Sequence, residues 1–243
     1  MDNRPIGIFD SGVGGLTVVK EIVKCLPNEN IVYFGDTARV PYGDKSKDVV
    51  TKYSKQIVRF LMTKNVKAII AACNTVSSNS MEELRKEFDI PFVGVVEPGV
   101  KSVLETTKNK KVGIIGTEAT VRSGMYSRLI HQADSSIEVF SKPCPLFVPL
   151  AEEGWYENDV AKMTASIYLD ELICCGIDTL LLGCTHYPLL KQCIGETIGD
   201  EIKIVDPAKN TAFSIKEILQ EKNMLNSGTE KQTNAFYVSD ITD

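Results

Sequence analysis

The sequence predicts an α/β protein built as two similar α/β lobes with mostly parallel sheets, facing each other across a cleft. Three observations carry this expectation. Short, continuous apolar runs alternate with longer amphipathic stretches. The order of those runs occurs twice along the chain. The runs end in polar residues where helices begin.

The expected strands, in order, are Ile6–Phe9, Ile31–Phe34, Ala68–Ala71, Phe92–Val95, Val112–Ile115, Ile137–Phe140, Thr179–Leu182 and Ile202–Val205. Each is continuous rather than alternating, the pattern of a strand covered on both faces. Between them lie helical patterns. Over Ser46–Lys64, the residues Val49, Val50, Tyr53, Ile57 and Leu61 share one face. Leu129 and Ile130 close a second helix, and Ile167, Leu172 and Ile173 belong to a third. Strands alternating with helices form βαβ units and parallel sheets, which take ligands at the carboxyl ends of their strands.

The repeat supports two lobes. "IGIFDSGVGG" resembles "VGIIGTEATV", "IVYFGDTARVPYG" resembles "IEVFSKPCPLFVP", and "AIIAACNTVSS" resembles "TLLLGCTHYPL". Ile6 to Val112 and Ile31 to Ile137 are each separated by 106 positions, and Ala68 to Thr179 by 111.

Composition narrows the function classes. The chain has 243 residues, 43% of them hydrophobic, and a net charge of -5. No basic patch points to nucleic acid or to an anionic membrane surface. No apolar stretch approaches the roughly 18 residues of a membrane span. The start, "MDNRPIGIFDSG", has no basic and apolar leader pattern, so a cytoplasmic protein is expected. Seven cysteines without a C-x-x-C pair read as free thiols, and two histidines offer no zinc-ligand spacing, so no metal is expected.

Two of the cysteines stand apart. Cys73 and Cys184 each end an apolar run and precede polar helix-starting residues: Asn74 and Thr75 after the first, Thr185 and His186 after the second. Alone, either reads as a small buried hydrophobe. As a pair at equivalent repeat positions, they suit a proton shuttle in which one thiolate removes a proton from one face of a carbon and one thiol returns a proton to the other. Helix N-termini lower a thiol's pKa, so accessible thiolates are expected at both. His186 reads either as a cap or as a proton partner of Cys184. Glu152 reads as half of a solvated charge pair or as a group of the site.

In "FDSGVGGL", Asp10 and Ser11 end the first strand and Gly12, Gly14 and Gly15 open a helix. The dinucleotide fingerprint fails because Thr17 stands where its third glycine belongs. Two readings stay open: a tight turn with Asp10 or Ser11 as N-cap, or a cradle of backbone N–H groups for a carboxylate or phosphate. Asn74, Thr75, Thr117, Thr120 and Thr185 would add neutral donors. "VPYG", with Tyr42 and Gly43, is a loop placed to close over a ligand.

Together, "GIFDSGVGGLTV", "YFGDTARVPYG", "ACNTVSS", "VEPG" and "GCTHYPLL" resemble the glutamate racemase family of the aspartate/glutamate racemase superfamily, from Ile6 to about Tyr237. The resemblance implies a cofactor-free, PLP-independent two-base racemase. Cys73 would serve D-glutamate beside Asp10, and Cys184 would serve L-glutamate with His186 and Glu152. Substrate contacts would fall on Asp10, Ser11, Tyr42, Gly43, Asn74, Thr75, Thr117, Thr120, Thr185 and His186. It further implies a cytoplasmic homodimer supplying D-glutamate for peptidoglycan, with one lobe at 1–97 plus 208–243 and the other at 98–207. Family members continue past a "FYVSD"-like strand into a helix. Here "AFYVSDITD" ends the chain, so an uncovered apolar face is expected. The alternatives are an aspartate racemase of the same superfamily and a non-catalytic small-anion-binding module.

Overall fold

A computed structural model describes residues 2–226, 228 and 232–241; the rest of the expected first lobe, at 1, 227, 229–231 and 242–243, lies outside them. The first half runs β1 (Ile6–Asp10), α1 (Leu16–Cys25), β2 (Ile31–Gly35), α2 (Lys47–Thr63), β3 (Ala68–Ala71), α3 (Asn74–Asn79), α4 (Met81–Glu87) and β4 (Phe92–Gly94). The second runs α5 (Val96–Thr106), β5 (Lys111–Gly116), α6 (Glu118–Arg122), α7 (Met125–Ala133), β6 (Glu138–Pro143), α8 (Phe147–Glu152), α9 (Asp159–Cys174), β7 (Thr179–Gly183), α10 (Lys191–Ile198) and β8 (Lys203–Val205). The chain then returns through α11 (Ala208–Glu221) to β9 (Asn234–Val238) beside β2.

The two lobes are mixed α/β. One holds a five-stranded sheet, β4-β3-β1-β2-β9, and the other a four-stranded sheet, β6-β5-β7-β8. Every described strand pair is parallel. The order β4-β3-β1-β2 repeats as β8-β7-β5-β6, so the duplication extends to a fourth strand. Ile6 pairs with Ile31 and Ala68, and Val112 pairs with Val139 and Thr179. The first and third strands therefore keep the sequence offsets, but Ile31 corresponds to Val139 rather than to Ile137. Ile137 is buried among helix residues such as Ile130, outside the ladder.

All eight expected strands are present. Continuous burial holds for β1, β3 and β7 but not for β6, where Glu138 and Ser141 face solvent. β6 is an edge strand, and an edge needs no full apolar cover. The strand list omitted β9, an edge strand whose residues alternate between exposed and half-buried. Its outward Phe236 and Val238 are themselves apolar, which hid the alternation.

Helix α2 fits its expected span. Ser46 caps it by accepting from the Val49 N–H at 3.4 Å, and Val50, Ile57 and Leu61 are buried. Ile167 on α9 is the exception: it is 72% exposed, continuing an outward stripe with Val160 and Met163.

Apolar clusters cover both faces of each sheet. Ile6, Ile8 and Ile70 pack under α1 and α11, while Phe9, Val32 and Ile69 pack under α2. Fully burying one such side chain contributes about 1.5–3 kcal/mol. At the amino end of the first sheet lies a buried ion pair. Lys67 Nζ is 2.6 Å from Glu29 Oε2 and also donates to the Asp2 and Met224 carbonyls. The opposite, carboxyl ends of both sheets carry the polar turns. Among the described residues, no helix is long and apolar enough to cross a membrane.

Candidate active site

The carboxyl ends of the two sheets meet in a reciprocal way. Thr185, after β7, donates to Asp10 Oδ1 at the end of β1 (3.3 Å). Thr75, after β3, lies 3.0 Å from the Thr117 hydroxyl after β5. Under the strand register, Cys73 corresponds to Cys184, Asn74 to Thr185, Thr75 to His186, Asp10 to Gly116 and Ser11 to Thr117. The lobes thus offer like thiols in unlike surroundings.

On the first lobe, Cys73 Sγ lies 3.7 Å from Ser11 Oγ, and Asp10 is fully buried. Asp10 Oδ2 accepts from the N–H groups of Gly12 (3.2 Å) and Gly15 (2.9 Å). Those two donors therefore serve the chain's own carboxylate, while the N-cap of α1 is Gly15, with no side-chain cap from Asp10 or Ser11. Burial raises the pKa of Asp10, opposed by the charge of His186 and by these N–H groups. Burial, then the neighbouring Asp10 carboxylate, pushes the Cys73 thiol up to about 12. This corrects the expectation of an accessible thiolate there: α3 is only six residues long, and its N-terminus does not offset the desolvation.

On the second lobe, His186 joins two groups. Its Nδ1 lies 3.8 Å from Cys184 Sγ, and its Nε2 lies 2.5 Å from Glu152 Oε1. Burial alone would lower its pKa, but the contacts with Cys184 and Glu152 and the charge of Asp10 outweigh it, and the imidazole is held well above its ordinary value. The same contact lowers the pKa of Glu152. Helix α8 ends at Glu152, which carries the carboxylate to His186. Gly14 lets the lobes approach: a Cβ there would stand 2.7 Å from both His186 Nδ1 and Thr185 Oγ1.

The neutral donors gather as expected. Thr117 caps α6 through the Thr120 N–H, and Thr75, Thr117 and Thr120 share a hydroxyl cluster. Gly43 abuts Thr117, where a Cβ would come within 2.4 Å of the threonine Cβ, and its carbonyl accepts from the Ala119 N–H. Tyr42 is placed differently. Its ring is in the apolar cluster that also holds Cys73, and its hydroxyl donates to buried Asp36.

Sequence reasoning missed Asp36, which also holds Arg39 at 2.8 Å, and Tyr126, whose hydroxyl lies 2.6 Å from Asn74 Oδ1. A carboxylate directly after β2 was a readable signal for Asp36. Tyr126 sits on a helix in the other lobe, and nothing in its local sequence marks it. His131 is remote from this cluster, bonded to the Ile137 carbonyl.

The Asp/Glu/hydantoin racemase family model matches residues 6–213. The chain belongs to that family. Within it, the chain is 52% identical to a glutamate racemase of Geobacter metallireducens over 98% of its own length and 88% of the relative's. It is 48% identical to one of Neisseria meningitidis, again over 98% and 88%. A crystal structure of the Francisella tularensis glutamate racemase in complex with D-glutamate superposes with a TM-score of 0.93 at 42% identity, covering 100% of this chain and 90% of that one. Among racemases of this family, the match therefore spans both sheets and every turn described above.

Proposed function

We propose that the chain is an isomerase, a glutamate racemase that inverts Cα by two-base proton transfer between Cys73 and Cys184 without a cofactor. The observation that carries this reading is the pair of thiols at equivalent strand ends, each with its own proton partner. Relatives near half identity that are glutamate racemases favour glutamate over aspartate as substrate.

Starting from L-glutamate, the Cys184 thiolate takes the α-proton and becomes a thiol, leaving the electron pair on Cα. The Cys73 thiol donates its proton to the opposite face, giving D-glutamate and a Cys73 thiolate. The reverse direction exchanges the roles. The raised pKa of Cys73 suits it to wait as the acid. His186, held cationic by Glu152, stabilises negative charge on Cys184, and Asp10 is the carboxylate beside Cys73. Ser11, Asn74, Thr75, Thr117, Thr120, Thr185 and His186, with the backbone at Tyr42 and Gly43, bind the substrate's polar groups.

The lobes divide at 97/98 and 207/208. The protein acts in the cytoplasm to supply D-glutamate for peptidoglycan. It works as a homodimer, which the outward stripe of Val160, Met163 and Ile167 with Trp155 supports.

Incubation of the pure protein with L-glutamate in D₂O tests the reading. Optical rotation decays to zero and the Cα proton is lost. If neither changes while the protein stays folded, the racemase reading falls. If Cys184→Ala or Cys73→Ala racemises at the wild-type rate, the two-thiol assignment falls with activity intact.

A further inference from the structure

Tyr126 belongs to neither the thiol pair nor the donor set, yet it touches the neighbours of both thiols. It stands in the first turn of α7, on the second lobe, and is buried. Its ring lies against two glycines: a Cβ at Gly183, the residue before Cys184, would be 3.6 Å from Cε2, and one at Gly99 would be 3.1 Å from Cε1. Its hydroxyl crosses to the first lobe and meets Asn74, the residue after Cys73, at 2.6 Å.

A carboxamide has one accepting end and one donating end. The Tyr126 hydroxyl donates to Oδ1, which leaves Nδ2 as the free end, and none of the described residues accepts from it. Asn74 borders a small cavity shared with Cys184 and Thr185. Rotated by half a turn, the amide would exchange its free N–H end for an acceptor, the wrong group to meet an anion. Burial, with the charges of Glu97, Asp206 and Cys184, raises the pKa of Tyr126 far enough that the hydroxyl keeps its proton.

We propose that Tyr126 is a positioning residue of the site: its hydroxyl locks the Asn74 amide with the N–H end towards a substrate carboxylate, and its ring spaces the strand end that carries Cys184. This inference rests on the racemase reading above. It assigns to the second lobe a role in shaping substrate binding on the first.

Tyr126→Phe keeps the ring and removes the donor. The expected result is a KM raised about tenfold for both enantiomers, with kcat within about threefold of wild type. Asn74→Ala raises KM by a similar factor, and the double variant is no worse than either single one, because both remove the same oriented donor. A Tyr126→Phe KM within twofold of wild type, a loss confined to kcat, or single-variant losses that multiply would each overturn the proposal. Where Tyr126→Phe does not fold, as read by circular dichroism, Asn74→Ala decides: an unchanged KM overturns it. A wild-type protein inert towards glutamate removes the function reading and this proposal together. An active wild type with an unchanged Tyr126→Phe removes this proposal alone.

Discussion

Gly14→Ala tests how tightly the lobes meet. Gly14 has no left-handed backbone, so alanine brings only its methyl group. That methyl would sit 2.7 Å from His186 Nδ1 and from Thr185 Oγ1, and 2.8 Å from His186 Cε1. Comfortable contacts lie at about 3.5–4.0 Å, so both partners must withdraw by about 1 Å. Neither is free to move. Thr185 is bonded to Asp10 at 3.3 Å, and His186 is held between Cys184 and Glu152. Overpacking of this kind costs about 1–3 kcal/mol. If that cost falls on the closed, reactive arrangement, kcat/KM drops by about 5- to 150-fold. Mirror-image substrates have equal free energies, so kcat/KM must fall equally in the two directions, whatever happens to each kcat and KM. Polarimetry from pure L- and pure D-glutamate reads this directly. A variant with kcat/KM within twofold of wild type would refute the claim that Gly14 admits His186 and Thr185 to the site.

Gly195→Ala provides the contrast. It lies inside α10 with open space around it, its nearest atom being Ile204 Cδ1 at 3.8 Å, so unfolding free energy rises by about 0.5–1 kcal/mol with activity unchanged, as denaturant titration will show. Glu152→Gln removes the partner of His186; because Glu152 is 36% exposed, solvent screening limits the stability loss to about 0.5–1 kcal/mol. The raised pKa of His186 gives a contribution complete below about pH 6.5 and lost towards about pH 11, and the lowered pKa of Glu152 gives one present above about pH 4.5 and lost as the pH falls. The wild-type advantage in melting temperature is therefore greatest near about pH 5–6 and disappears in acid, where a constant advantage would contradict the pairing. Lys67→Met leaves Glu29 buried without its cation and costs about 3–5 kcal/mol, most of which Glu29→Leu in the same chain restores; equal melting temperatures for the two variants would refute this.

Those residues also show what the sequence made legible. Strands covered on both faces, such as Ala68–Ala71 and Thr179–Gly183, announce themselves as unbroken apolar runs, and the cysteines that follow them inherit their position from the repeat. Edge strands do not announce themselves: β6 was matched two residues out of register and β9 was absent from the expected strands. The paired thiols and His186 could be read because they lie next to one another in sequence or in the repeat. Interactions across the lobes could not. Tyr126 and Asn74 are 52 positions apart, and the bond from the Tyr42 hydroxyl to Asp36 has no mark in the sequence. The direction of the Cys73 shift was misread for a related reason. A helix N-terminus is visible in sequence, whereas the depth of burial and the nearness of Asp10 are not.

The repeated strand order has a consequence for handedness. A lone lobe could lift hydrogen from one side of a carbon, but could return it only to that side. Copying the lobe and turning it to face the original supplies the missing side without inventing a second kind of active group. On the two-thiol reading proposed above, a carbon flattened between two such ends meets sulfur whichever way it faces. What tells left from right then lies where the copies have diverged, as at Asp10 against Gly116, Ser11 against Thr117, Asn74 against Thr185 and Thr75 against His186. Exchanging the residues at those places is the route by which such a chain would come to favour one mirror image in its resting state.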